Sequence, residues 1–104
     1  MAMMAVDRAR NQLAPATALF RSLGDPTRLA IIRTLAERGE ARVVDLTAEV
    51  GLAQPTVSKQ LACLLDCNLV TVRPVGRQSF YSLLHPELVA VLASAEALLS
   101  ATGY

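Results

Sequence analysis

The sequence predicts a mainly α-helical domain that carries one β-hairpin, and three observations predict it. Apolar residues recur at helical spacing on both sides of a glycine turn at Gly51. The pattern then switches to short β-prone runs over 69–83, and it returns to helical spacing from Pro86. With 104 residues, 53% of them hydrophobic, the chain fits a single domain with a small core, so pairing with a second copy would help to stabilise it.

Each element follows from local signals. Leu13, Ala16, Phe20 and Leu23 share one face of a helix expected over 7–23, irregular near Pro15, with residues 1–12 expected as an arm or an irregular start. Gly24-Asp25-Pro26 is a stop and a start together: the glycine ends one helix, Asp25 caps the next, and Pro26 takes its first position. That second helix points Leu29, Ile32 and Leu35 inward and stops near Gly39. Val43, Leu46 and Val50 mark a third, Gly51 turns the chain, and a fourth begins near Gln54, so that 43–67 has a helix-turn-helix outline. Leu69–Arg73 and Gln78–Leu83 form the hairpin around a tip of Pro74, Val75, Gly76 and Arg77. From Pro86 to Ala101 a last helix carries Leu88, Val91, Leu92, Ala95, Leu98 and Leu99 in a wide apolar stripe that calls for a partner. The first and last helices are therefore expected to build a homodimer.

Ten basic and nine acidic residues leave a net charge of only +1, so any affinity for nucleic acid must come from local clustering. The cluster is found between Gln54 and Tyr81, where Lys59, Arg73 and Arg77 face a single acid, Asp66. A helix-turn-helix followed by a hairpin is the winged-helix plan, in which the second helix enters the major groove of duplex DNA and the hairpin tip touches the backbone. Gln54, Thr56, Ser58, Lys59 and Gln60 supply amide, hydroxyl and ammonium groups for base edges and phosphates, and Arg73 and Arg77 arm the wing. No apolar run approaches the ~20 residues of a membrane span, and MAMMAVDRAR lacks the order of a secretory signal, so the chain is expected in the cytoplasm. One histidine, no glycine-rich phosphate loop and no paired carboxylates argue against an enzyme.

The only thiols, Cys63 and Cys67, are four residues apart at the end of the recognition helix. That spacing places their Cβ atoms about 5–6 Å apart on one face, too far for an unstrained disulfide and near enough to converge on one ion. At about 100° per residue they lie roughly 105–145° from the centre of the stripe formed by Val57, Leu61, Leu64 and Leu65, off the core. Soft thiolate ligands favour Cd(II), Pb(II) or As(III) over harder ions.

Leu23-Gly-Asp-Pro-Thr-Arg-Leu29, Gly51-Leu-Ala-Gln-Pro-Thr-Val-Ser-Lys-Gln-Leu61, Asn68-Leu-Val70 and Gly76-Arg-Gln-Ser-Phe-Tyr81 together resemble the ArsR/SmtB family of metal-responsive repressors over roughly residues 15 to 100. Leu61-Ala-Cys-Leu-Leu-Asp-Cys-Asn-Leu-Val70 is most similar to the cadmium- and lead-sensing CmtR type. The resemblance implies a homodimer that represses its operator when free of metal and is released when a soft ion binds Cys63 and Cys67. It also implies a third cysteine from a C-terminal tail; Ala101-Thr-Gly-Tyr104 supplies none, which leaves a truncated form of the chain, a weaker site, or a shell completed by water or a small thiol, the first being favoured. Other metal sites of the family have no counterpart here, since Arg42-Val-Val-Asp-Leu46 lacks a thiol and His85 is the sole histidine. A thiol-redox switch and a metal-independent winged-helix regulator are the alternatives that the residues leave open.

Overall fold

The computed structural model describes residues 2–103, with side chains from Arg10 onward. Helix α1 runs over Ala2–Leu23, α2 over Pro26–Arg38, α3 over Val43–Val50, α4 over Gln54–Asp66 and α5 over Glu87–Thr102. Strand β1 (Glu40–Ala41) lies between α2 and α3, and β2 (Val70–Val75) and β3 (Gln78–Leu83) form the hairpin between α4 and α5. In place of the expected arm or irregular start, α1 is helical from Ala2 and continues through Pro15 without a break. A proline there removes one intrahelical donor, and the turns on either side carry the helix past it.

The stop and start at Gly24-Asp25-Pro26 form as their chemistry dictates. The Asp25 carboxylate accepts the Arg28 backbone N–H at 2.9 Å, and Pro26 occupies the first turn, where a missing N–H does no harm. Helix α2 turns Ile31, Ile32 and Leu35 into the core, whereas Leu29, expected inward, is 39% exposed. Gly51 adopts the left-handed conformation (φ 70°) that closes α3 and redirects the chain into α4, and its N–H donates to the Thr47 carbonyl. Helix α4 buries Val57, Leu61 and Leu64, with Leu65 packed beside them.

The exit from α4 is fixed by a Schellman motif. Asn68 takes φ 58°, its N–H donates to Leu65 O, and the Leu69 N–H donates to Leu64 O. The chain is thereby aimed into β2. The hairpin closes on Gly76 and Arg77, the glycine holding φ 61° at the first position of the two-residue loop. Strand β3 is central to a three-stranded antiparallel sheet of order β1-β3-β2, with Ala41 opposite Tyr81 on one side and Val72 opposite Tyr81 on the other. One core of Ile31, Ile32, Leu35, Ala41, Leu46, Val57, Leu61, Leu64, Val70 and Leu88 joins α2, α3, α4, the sheet and the start of α5. No helix among the described residues is long and apolar enough to cross a membrane.

Candidate nucleic-acid interface and thiol pair

Burial of Val57, Leu61 and Leu64 fixes which side of α4 faces outward. Gln54, Thr56, Ser58 and Lys59 are all exposed on its first two turns. Ala53, the N-cap, offers no side-chain acceptor, so the helix start is open to an anion as well as to these side chains. Gln60 differs from its neighbours: it is half-buried, and its Oε1 accepts a hydrogen bond from Arg28 Nη1 at 3.2 Å, tying α4 to α2.

The two wing arginines also differ. Arg73 Nη2 donates to both Glu40 oxygens, at 2.9 and 3.1 Å, and its guanidinium lies over the Phe80 ring, 5.3 Å from the centroid. This pairing crosses the sheet from β2 to β1 and stiffens the base of the wing. Arg77 sits exposed in the turn with no ion pair among the described residues, a free cation at the hairpin tip.

Helix α3, which supports α4, is held at its start by Asp45. That carboxylate accepts the Arg42 backbone N–H at 2.9 Å and both Nε and Nη2 of the same residue at 3.1 Å, with Arg38 3.8 Å away. The hydrogen bond from the Arg42 side chain, followed by that from its backbone, holds Asp45 down to about 2.

Both cysteines are free and exposed. Cys67 is the cap just after α4, and its N–H still donates to Cys63 O at 3.0 Å, so the helical relation of the pair persists. Cys67 opens on a shallow groove against α1 lined by Pro15, Ala18, Leu19, Ser22 and Leu69, and its sulfur accepts a hydrogen bond from Ser22 Oγ at 3.6 Å. Among the described residues no group of three or more His, Cys, Asp or Glu side chains is arranged to hold a metal. The thiols are therefore a two-donor set of the right softness, and a closed shell would need a donor from elsewhere. His85 is exposed at the entrance to α5, where its carbonyl accepts the Leu88 N–H.

A helix-turn-helix with a hairpin wing defines the class, a winged helix-turn-helix protein, and sequence comparison narrows it. Residues 25–72 match the model of the bacterial regulatory protein, arsR family. A probable mercury resistance operon repressor of Streptomyces lividans is 37% identical over 79 residues, covering 76% of this chain and 62% of that protein. The arsenical resistance operon repressor of Bacillus subtilis (strain 168) is 38% identical over 74 residues, covering 71% and 70%. In three dimensions, NolR from Sinorhizobium fredii superposes with a TM-score of 0.79 at 25% identity, covering 88% of this chain and 90% of that one. The chain belongs to the ArsR family of bacterial regulatory proteins.

Proposed function

We propose that the protein is a homodimeric transcriptional repressor that binds operator DNA through α4 and the wing and is released when a soft, thiophilic ion binds Cys63 and Cys67. Gln54, Thr56, Ser58 and Lys59 face the major groove, Arg77 reaches the flanking phosphates, and Gln60 and Arg73 hold the reading elements in position, with Arg73 turning to phosphate where Glu40 yields it. The observation that carries the reading is the placement of two exposed thiols at the end of the same helix whose beginning presents the DNA-facing side chains. An ion that draws the sulfurs toward a further ligand shifts the far end of that helix, and a coupling of about 1–3 kcal/mol suffices for release. Cd(II) and Pb(II) are the expected effectors, with As(III) in the same chemical class; relatives named for mercury and arsenical resistance support a thiophilic effector.

Dimerisation is supported by the mostly apolar groove that Phe20 of α1 forms with Ala90, Val91, Ser94, Ala95 and Leu98 of α5. Two copies joined there would present two recognition helices to half-sites about 34 Å apart.

Titration with Cd(II) and Pb(II), followed by thiolate-to-metal charge-transfer absorbance, tests the thiol site. A band is expected that is lost in Cys63→Ser and in Cys67→Ser, together with a metal-dependent fall in operator affinity in the unsubstituted protein alone. A band indifferent to both substitutions would eliminate the site.

A further inference from the structure

Ser22, in the last turn of α1, makes two contacts that point in different directions. Its hydroxyl donates to Cys67 Sγ at 3.6 Å, and its backbone carbonyl accepts Arg28 Nε at 2.9 Å. Arg28 Nη2 reaches the neighbouring Arg21 carbonyl at 3.3 Å, so the guanidinium closes the C-terminus of α1, where carbonyls lack helical partners and a cation is favourable. Its remaining contact, Nη1 to Gln60 Oε1 at 3.2 Å, lands on the recognition helix, directly after Lys59. Asp25, the nearest acid in sequence, accepts the Arg28 backbone N–H, and all three side-chain partners of Arg28 are neutral.

From this geometry we infer that Arg28 is a positioning residue that transmits the state of Cys67 to the DNA-reading end of α4. The inference rests on the reading of Cys67 as a sensing thiol and specifies how it is heard. A guanidinium is a planar fork with fixed donor directions, so it cannot follow a displaced Ser22 carbonyl and keep Gln60 as well. When the Cys67 sulfur is drawn away, or a group attached to it displaces it from the Ser22 hydroxyl, Ser22 loses its acceptor and the end of α1 relaxes. Arg28 then either carries α4 with it or releases Gln60, and both change the angle at which Thr56, Ser58 and Lys59 meet DNA. A thiol at the far end of the helix thereby reaches the reading end by way of α1 and α2.

The test uses the Cys63→Ser protein, in which Cys67 is the only thiol. Iodoacetamide alkylates it: the thiolate displaces iodide, a carbon–sulfur bond forms, and the thiol proton passes to buffer. Binding is read on a duplex that the unmodified protein has enriched from a random pool, alongside the amide resonances of Thr56, Ser58 and Lys59 and the Arg28 Nε–H signal. Alkylation is expected to move all four signals and weaken binding at least about tenfold. In Ser22→Ala and Arg28→Lys, each made in the same background, the adduct should form equally while the change in affinity falls below about twofold. Ser22→Ala keeps the carbonyl and the guanidinium, so it carries the test if Arg28→Lys does not fold. A tenfold loss that persists in Ser22→Ala marks a direct clash and overturns the inference, as does an unmodified protein indifferent to alkylation. Cd(II) that fails to bind the unsubstituted protein while alkylation still acts through Ser22 would sink the metal reading and leave the relay standing.

Discussion

From α2 to β2 one set of apolar side chains closes on itself, with Ile31, Ile32, Leu46, Val57 and Leu64 fully buried and Leu35 and Leu61 1% exposed, while Leu29 and Val44 stay at the surface. In α1 and α5, apart from the buried Leu88 and the partly buried Leu23, Val91 and Leu92, large apolar residues face outward, with Leu13, Phe20 and Leu98 more than 60% exposed and Leu99 48%. The contrast separates two tasks. The half that carries α4 and the wing packs around a core built within one chain, closed by Leu88 at the start of α5. The outer half leaves an apolar surface exposed in the single chain, the kind of face that the proposed second copy would cover.

The sharpest way to break this comparison is to delete the same side chain in each half. Leu46→Ala removes a leucine buried where α3 meets the core and should cost about 2–5 kcal/mol, a large fraction of the total for so small a domain. Leu98→Ala, at a site 63% exposed in the single chain, should change stability by less than about 0.5 kcal/mol at concentrations where the protein is monomeric. Urea unfolding at low micromolar concentration measures both. Equal costs would mean that the two halves do not divide as described.

A second experiment acts only on the outer half. Placing a carboxylate in the α1/α5 groove, by Phe20→Glu or Leu98→Glu, should leave the far-ultraviolet spectrum unchanged and weaken self-association at least about tenfold in sedimentation equilibrium. The thermal midpoint of the unsubstituted protein should rise with concentration, as mass action requires of a dimer, and that of the variants should not. A midpoint independent of concentration in both would remove the second copy from the account.

The division between halves also follows what could be read from the sequence. Signals that act within a few residues were legible: the Asp25 cap, the Gly51 turn, and the Val57, Leu61, Leu64 stripe that leaves Cys63 and Cys67 outside the core. Strand β1 was not, because two residues carry no periodicity and Glu40–Ala41 pairs only once β3 offers an edge. The inward face of α2 was misplaced by part of a turn: Ile31, and not Leu29, meets the core, a choice made by the elements packed on the helix rather than by its own spacing. At Pro15 the lost donor was legible, but not the ability of α1 to continue past it. Contacts between distant residues left no local trace, such as Arg28 with Gln60, 32 positions apart, and Arg73 with Glu40, 33 apart. The side chains proposed to face DNA were therefore easier to nominate than those that hold them in place.

The smallest expected effect tests one such holding contact within the self-sufficient half. Asp45 lies below its ordinary value of 3.8, at about 2, chiefly because the Arg42 side chain donates to it and then because the Arg42 backbone N–H does. A carboxylate whose pKa is lowered on folding stabilises the folded state above the unfolded value, and that contribution is lost as the pH falls through the folded one. Asp45→Asn keeps an acceptor for the Arg42 N–H and removes the charge. The unsubstituted protein should therefore melt higher than the variant from about pH 5 to 7, and the gap should narrow from about pH 4 and vanish only below about pH 2. Because the Arg42 side chain is 37% exposed, the gap should also shrink in high salt. A gap that keeps its size through that acid window would mean that the start of α3 is held by its packing on the core, through Leu46, and not by the Asp45 charge.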